Sequence, residues 1–405
     1  MERSNIQWVR NDHYNAEFND NELAYFTETD IQDVLRFQRT HPSYTNTPLQ
    51  RLPNLAQHLQ ISDIRVKDES YRFGLNAFKV MGGIYAIAKI LAERLNRNVN
   101  DLSFAEWQSA EVREQMGNLT FITATDGNHG RGVAWAAREL GQRAVVYMPK
   151  GSLPERLHAI RNEGAFAEIT DKNYDDTVRM SAAMAEENDW VMVQDTAWEG
   201  YEDIPLWIMQ GYAAIAQEII DELNKEQDQA PTHVFLQAGV GSFAGAIAAY
   251  LQAHYGARAP QIIVVEPDQA DCYYRSFVSG EMTAVTGDMD TIMAGLACGE
   301  PNNRAFPILR QYASASFSCS DSIAALGMRV LGNPLGDDPR IVAGESGAAP
   351  LGLVHYLRSF PETEACAAIG LDEQARVLVI NTEGDTDQHH YRDIVWKGMY
   401  PVANQ

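Results

Sequence analysis

The sequence predicts an α/β fold of two domains, each an open, mainly parallel twisted sheet with helices on both faces. Three observations carry this. Short apolar runs alternate with segments of helical period through most of the chain, the rhythm of strands joined by crossover helices. The chain has 405 residues, enough for two domains that share a cleft. A polar stretch, NKEQDQAPT at 224–232, separates one series of strands and helices from a second and reads as a boundary. The larger domain is therefore expected from residues 1–83 and 233–405, and a smaller, inserted one from 84–232.

Each element has its own signal. DIRVKD (63–68) is a short strand. AFKVMGGIYAIAKILAERL (77–95) carries Phe78, Met81, Ile84, Ile87, Ile90 and Leu91 at helical spacing. LTFITA (119–124) is an apolar strand, and GVAWAAREL (132–140) a helix that Gly141 is placed to end. RAVVYMP (143–149) and AFAEIT (165–170) are strands, with a helix between them closing near Gly164. A helix over 175–187 leads into the strand WVMVQD (190–195). The second series opens with THVFLQ (232–237), a loop and helix in AGVGSFAGAIAAYL, and QIIVVEP (261–267). ARVLVINTEG (375–384) is the last strand. The first 40 residues carry no readable motif.

Composition narrows the function classes. Thirty-two basic against 55 acidic residues leave a formal charge of −23, which disfavours binding to a phosphate backbone, so no nucleic-acid partner is expected. No apolar run approaches the roughly 18 residues of a membrane span, and the N-terminal MERSNIQWVRNDHYNAEF lacks the apolar core of a secretory signal. A cytoplasmic enzyme is the expectation. Cys272, Cys298, Cys319 and Cys366 have no metal-ligand spacing, so no metal is expected and scattered thiols are. Whether Cys272 and Cys298 pair is open at this stage.

Five stretches can carry chemistry. In AGVGSFAG (238–245) a strand ends, glycines clear the backbone and a helix begins, which suits a phosphate held by backbone N–H groups. Glu266 at the next strand end superficially completes a dinucleotide fingerprint, but the third glycine falls one place late. In SYRFGLNAFKVMGG (70–83), Lys79 stands among Ala77, Phe78, Val80 and Met81; a desolvated lysine loses its proton readily and attacks carbonyls. TATDGNHGRG (123–132) is a loop–helix junction suited to an anion, yet it holds Asp126. ESGAAPLG (345–352) turns into a helix after Glu345, and INTEGDTD (380–387) ends a strand with Thr382 and Glu383. Ligands in parallel α/β sheets gather at such carboxyl ends.

In that order, the Lys after Phe, the Asn-His-Gly loop, the Gly-rich loop, the Glu-Ser-Gly turn and the polar strand end resemble the fold-type-II pyridoxal-phosphate enzymes. Within that group, TDGNHGRGVAWAA, VQDTAWEGYEDIPLWIMQGY and INTEGDTD are similar to the diaminopropionate ammonia-lyases. The resemblance implies pyridoxal 5'-phosphate on Lys79 as a Schiff base, with Phe78 beside it. It implies that Gly239, Val240, Gly241, Ser242 and Phe243 cradle the phosphate, and that Asn128 contacts the ring hydroxyl. Thr382 would bond the pyridine nitrogen, and a neutral partner there leaves that nitrogen largely unprotonated. The substrate would be an amino acid, 2,3-diaminopropionate, eliminated to pyruvate and ammonia. Thr125, Asp126, Gly127, His129 and Glu345 would bind it. Lys79 would remove the α-proton of one enantiomer, and Asp126 would remove it from the other or pair with the β-ammonium. Asp195 would be the second acid/base or ammonium ligand. A homodimer is implied by the resemblance alone. Two alternatives stay open, a serine/threonine dehydratase of the same fold and a dinucleotide-binding oxidoreductase built on AGVGSFAG. Asp126 argues against the first, because dehydratases generally carry Ala or Ser there.

Overall fold

The computed structural model describes residues 5–15, 23–125, 127–359 and 363–402. Among them the strands are β1 (Ile6–Arg10), β2 (Leu49–Arg51), β3 (Asp63–Asp68), β4 (Thr120–Ala124), β5 (Arg143–Met148), β6 (Phe166–Ile169), β7 (Val191–Met192), β8 (His233–Gln237), β9 (Gln261–Pro267), β10 (Ala313–Cys319) and β11 (Arg376–Asn381). They form two sheets. The larger has the order β1-β10-β9-β8-β11-β3-β2 and the smaller the order β6-β5-β4-β7. The smaller sheet is parallel throughout. In the larger, the inner strands are parallel and both edges, β1 and β2, run antiparallel to their neighbours.

The strands β8, β9 and β11 at the centre of the larger sheet read as near-continuous apolar runs because both of their faces are buried. Successive side chains alternate between two cores. Val234 and Leu236 of β8, Ile262 and Val264 of β9, and Leu378 and Ile380 of β11 enter one of them. Phe235, Ile263, Val265, Val377 and Val379 enter the other, together with the helices Asp321–Gly332 and Glu345–Ser359. The first core is filled by the helices Val80–Arg94, Asp203–Glu226 and Ser242–Tyr255. Two of these touch backbone to backbone. A Cβ on Gly211 would lie 2.5 Å from Met81 O, and one on Gly82 would lie 2.6 Å from Ile208. That contact seats the start of the helix that carries Lys79.

A charged cluster is closed inside the same region. Arg72 reaches Glu69 at 2.8 Å and Glu218 at 2.8 Å, and Lys67 reaches Glu218 at 3.0 Å; all four side chains are buried. Buried charges persist only when paired in this way.

Three features differ from the expectation. β1 and the helix Glu28–Arg39, opened by a Thr27/Asp30 capping box, lie in the N-terminal stretch that showed no motif. β10 has the sequence ASASFSC, in which serines alternate with mostly small apolar residues and no apolar run stands out, yet every residue is buried. The strand expected over 190–195 shortens to Val191–Met192. Its continuation is diverted because the Gln194 amide donates to the Tyr201 hydroxyl at 2.8 Å.

Candidate active site

A cleft opens where strands of both sheets end. Lys79, Thr125, Asn128, His129, Asp195, Gln237, the 239–243 loop, Ser346, Thr382 and Glu383 all line it. The topology explains the gathering. Thr125 follows β4, Gln237 ends β8, and Thr382 and Glu383 follow β11, all at carboxyl ends of parallel strands.

Lys79 immediately precedes the helix Val80–Arg94. Its Nζ donates to Asp195 Oδ2 at 2.9 Å. His129 Nε2 lies 2.8 Å from Val193 O; a carbonyl only accepts, so this nitrogen carries a proton. The opposite nitrogen, Nδ1, faces Asp195 Oδ2 at 3.8 Å. Burial pushes the Asp195 carboxyl up, but His129 and Lys79 outweigh it and hold it below the usual carboxylate range. Asp195 is thus a buried anion aimed at an amine.

The glycine loop opens the helix Ser242–Tyr255, whose first-turn N–H groups have no intrahelical partner. Gly241 has φ +92°, and a Cβ there would lie 2.0 Å from the Tyr273 hydroxyl, so only glycine fits on both counts. Tyr273 in turn donates to Val240 O at 3.0 Å. The Ser242 hydroxyl accepts from Asn302 Nδ2 at 2.7 Å and donates to the carbonyl of Asp195. That hydroxyl is spent, so the loop offers its backbone to an anion. It also ties the loop to the Asp195 backbone.

On the far wall, Asn128 Nδ2 donates to Glu383 Oε2 at 2.5 Å, and Ser346 N donates to Glu383 Oε1 at 3.1 Å. Thr382 Oγ1 accepts from Gln237 Nε2 at 2.8 Å. Phe78 packs at 4.6 Å from Phe243 and 4.8 Å from Tyr212, between ring centroids. These residues fit pyridoxal phosphate. A half-buried amine shares the cleft with a glycine-cleared helix start. In the lining, the Ser346 hydroxyl and the Gln237 carbonyl oxygen are buried without a hydrogen-bond partner among the described residues, which suits a site completed by a polar ligand.

The structure also departs from expectation. Glu345 is not on the cleft. Its Oε1 pairs with His390 Nδ1 at 2.8 Å, and its neighbour Ser346 lines the site instead. Gly127 spends its amide on Thr125 Oγ1 at 2.9 Å, as Gly130 does at 3.0 Å. Thr125 therefore braces the start of the helix Asn128–Glu139. Glu266 is fully buried away from the cleft and accepts from the amides of Tyr273 and Tyr274 and from Ser316. Burial pushes its carboxyl up to about 8 against those donors. It anchors the helix Cys272–Ser279 behind the loop, and reads no ribose. No disulfide joins any of the four cysteines, so Cys272 and Cys298 do not pair. Asp126 lies outside the described residues. Gln237, Glu383, Ser346 and Tyr174 line the cleft, though the sequence assigned none of them a role in the site. Only the strand-end positions of Gln237 and Glu383 could have flagged them.

Comparison with known proteins agrees with this geometry. The family described as pyridoxal-phosphate dependent enzyme matches residues 41–383. Diaminopropionate ammonia-lyase of Escherichia coli strain K12 is 52% identical over 390 residues, covering 96% of this chain and 97% of that protein. The crystal structure of the Escherichia coli enzyme in complex with an aminoacrylate-PLP azomethine reaction intermediate superposes with a TM-score of 0.91 at 49% identity, covering 99% of each chain. A processed threonine deaminase isoform from Solanum lycopersicum shares the fold, with a TM-score of 0.71 at 18% identity over 96% of this chain and 97% of that one.

Proposed function

We propose that this chain, which belongs to the pyridoxal-phosphate dependent enzyme family, is a carbon–nitrogen lyase that eliminates ammonia from 2,3-diaminopropionate and leaves pyruvate and a second ammonia. One observation carries the reading: Lys79 Nζ lies 2.9 Å from a buried Asp195 carboxylate, in the cleft that also holds the glycine loop and Thr382. A relative 52% identical to this chain is named for the same diamino acid.

The cofactor, when bound, draws electrons from the substrate α-carbon, so that the α-proton can leave and the β-amino group can depart. The rest falls to the chain. The amides of the 239–243 loop would hold the phosphate, and the Thr382 hydroxyl would meet the ring nitrogen. Asn128, held by Glu383, would contact the ring hydroxyl. Lys79 Nζ takes the α-proton of one enantiomer, and Asp195 Oδ2 stabilises the ammonium so formed. A dehydratase substrate brings a hydroxyl to this site, whereas diaminopropionate brings a β-ammonium, which a buried anion such as Asp195 favours. Asp126 is the base for the opposite enantiomer or a second ligand for that ammonium. We read residues 84–232 as a small domain inserted into a large one. The protein is a cytoplasmic homodimer in this reading. Cysteines without disulfides are consistent with that compartment.

The test is turnover. Pyruvate should form much faster from diaminopropionate than from L-serine or L-threonine; equal or faster turnover of either would overturn the assignment in favour of a dehydratase. A visible absorbance band removed by borohydride and missing in Lys79→Ala would establish the cofactor on that lysine. In Asp126→Asn, selective loss of D-isomer turnover would support the base role, and equal loss for both isomers would support ammonium binding. Unchanged turnover would remove Asp126 from the mechanism.

A further inference from the structure

Thr382 presents one hydroxyl to the cleft, and a hydroxyl can donate or accept. Its neighbour decides which. Gln237 is 2% exposed and ends β8, beside β11 in the larger sheet. Its Nε2 donates to Ile380 O at 2.9 Å and to Thr382 Oγ1 at 2.8 Å. A main-chain carbonyl only accepts, so the amide nitrogen must face that side and the group cannot be flipped. Both protons of Nε2 are then committed. Thr382 Oγ1 is the acceptor in its bond, and its own single proton must point elsewhere. Among the described residues no protein acceptor takes that proton, and Thr382 lines the cleft.

We propose that Gln237 is a positioning residue that turns the Thr382 proton into the cleft and so selects a cofactor whose ring nitrogen carries a lone pair. A ring nitrogen bearing its own proton would meet a second donor. The constraint comes from Gln237, which sits behind Thr382, and it is absent if that side chain offers an acceptor instead. The inference rests on the reading that Thr382 faces the ring nitrogen.

The experiment uses holoenzyme loaded with pyridoxal phosphate labelled at the ring nitrogen, read by nitrogen NMR. In the unmodified protein the signal should sit at the unprotonated position across the working pH range. Gln237→Glu offers Thr382 an acceptor in either protonation state, because a protonated Glu can place its O–H on Ile380 O and keep the other oxygen for Thr382. The hydroxyl proton then turns inward, and the ring signal should move toward the protonated position. Gln237→Met frees the hydroxyl to rotate, so the signal should become pH-dependent; this variant serves if the Glu variant loads poorly. In Thr382→Val the same Gln237 change should have no effect, a dependence that general damage to the fold would not produce. A loaded Gln237→Glu or Gln237→Met enzyme with the unmodified signal overturns the proposal while leaving the cofactor site intact. If the unmodified protein binds no cofactor, the site assignment falls and the proposal with it.

Discussion

Replacing Asp195 by Asn should shift the pH dependence of cofactor attachment to Lys79 toward acid. The carboxylate lies 2.9 Å from Nζ, and the lysine side chain is 15% exposed, so solvent screens the pair only in part. At an effective dielectric of about 20, unit charges about 4 Å apart interact by roughly 4 kcal/mol. With about 1.36 kcal/mol per pH unit, full loss would move the half-maximal pH by roughly 3 units. Asn keeps a hydrogen bond to Nζ and water relaxes around the change, so the expected shift is at least about 1 unit, a tenfold gain in reactive amine at fixed pH. The sign follows from the chemistry: neutral amine attacks the cofactor aldehyde, and the carboxylate favours the ammonium. Stopped-flow absorbance of pyridoxal phosphate attaching to apoprotein, followed over a pH series, measures it. Turnover of diaminopropionate should fall in the same variant, because the ammonium formed on proton transfer loses its counter-ion. An unmoved or alkaline-shifted attachment profile would refute the electrostatic coupling between Lys79 and Asp195.

Other outcomes follow from the same geometry. Gly241→Ala adds about 1–2 kcal/mol of left-handed backbone cost and drives a Cβ to 2.0 Å from the Tyr273 hydroxyl. Its affinity for pyridoxal phosphate in equilibrium dialysis should fall about tenfold or more, and unchanged affinity would separate the loop from the phosphate. His390 has its pKa raised, chiefly by the hydrogen bond to Glu345 with burial opposing. Its stabilising contribution is therefore full below the ordinary histidine value of about 6.5 and is lost as pH rises through the folded value. The melting-temperature gap between the unmodified protein and His390→Gln should be wider at pH about 6 than at about 9; a constant gap would count against the pair. Glu218→Gln leaves Arg72 and Lys67 buried beside a neutral amide and should cost about 3–5 kcal/mol in denaturant unfolding. A loss below about 1 kcal/mol would mean that water relieves the cluster.

Much of this architecture is legible residue by residue. β9 matches QIIVVEP end to end because a strand buried on both faces is apolar along most of its length, and β3 matches DIRVKD, where Ile64 and Val66 alternate with Arg65 and Lys67, whose buried charges are paired with carboxylates. β10 was illegible for the opposite reason. Its serines satisfy buried partners, Ser316 on Glu266 and Ser318 on Asp271, so a core strand carries the composition of a loop. At the site, Lys79 and the glycine loop show themselves by local pattern: an amine among apolar neighbours, and glycines before a helix. Glu345 misled because its environment is set by His390, 45 residues on in the chain. Gln237 stayed hidden because its role runs through a bond to a residue 145 positions away. Local sequence reports propensity and burial; it does not report which distant group completes a hydrogen bond.

The antiparallel strand β1 matters for handling the protein. It pairs with β10 from Ile6↔Cys319 to Arg10↔Ala315, and β10 would otherwise be the open margin of the larger sheet. A bare strand edge invites pairing with another molecule. Trimming the amino terminus past this segment for crystallisation, or fusing a partner tightly against it, would strip the cover from β10 and turn a soluble preparation toward self-association. The catalytic groups, which lie at the strand ends and not at this margin, would be untouched, so the damage would be visible in light scattering sooner than in turnover.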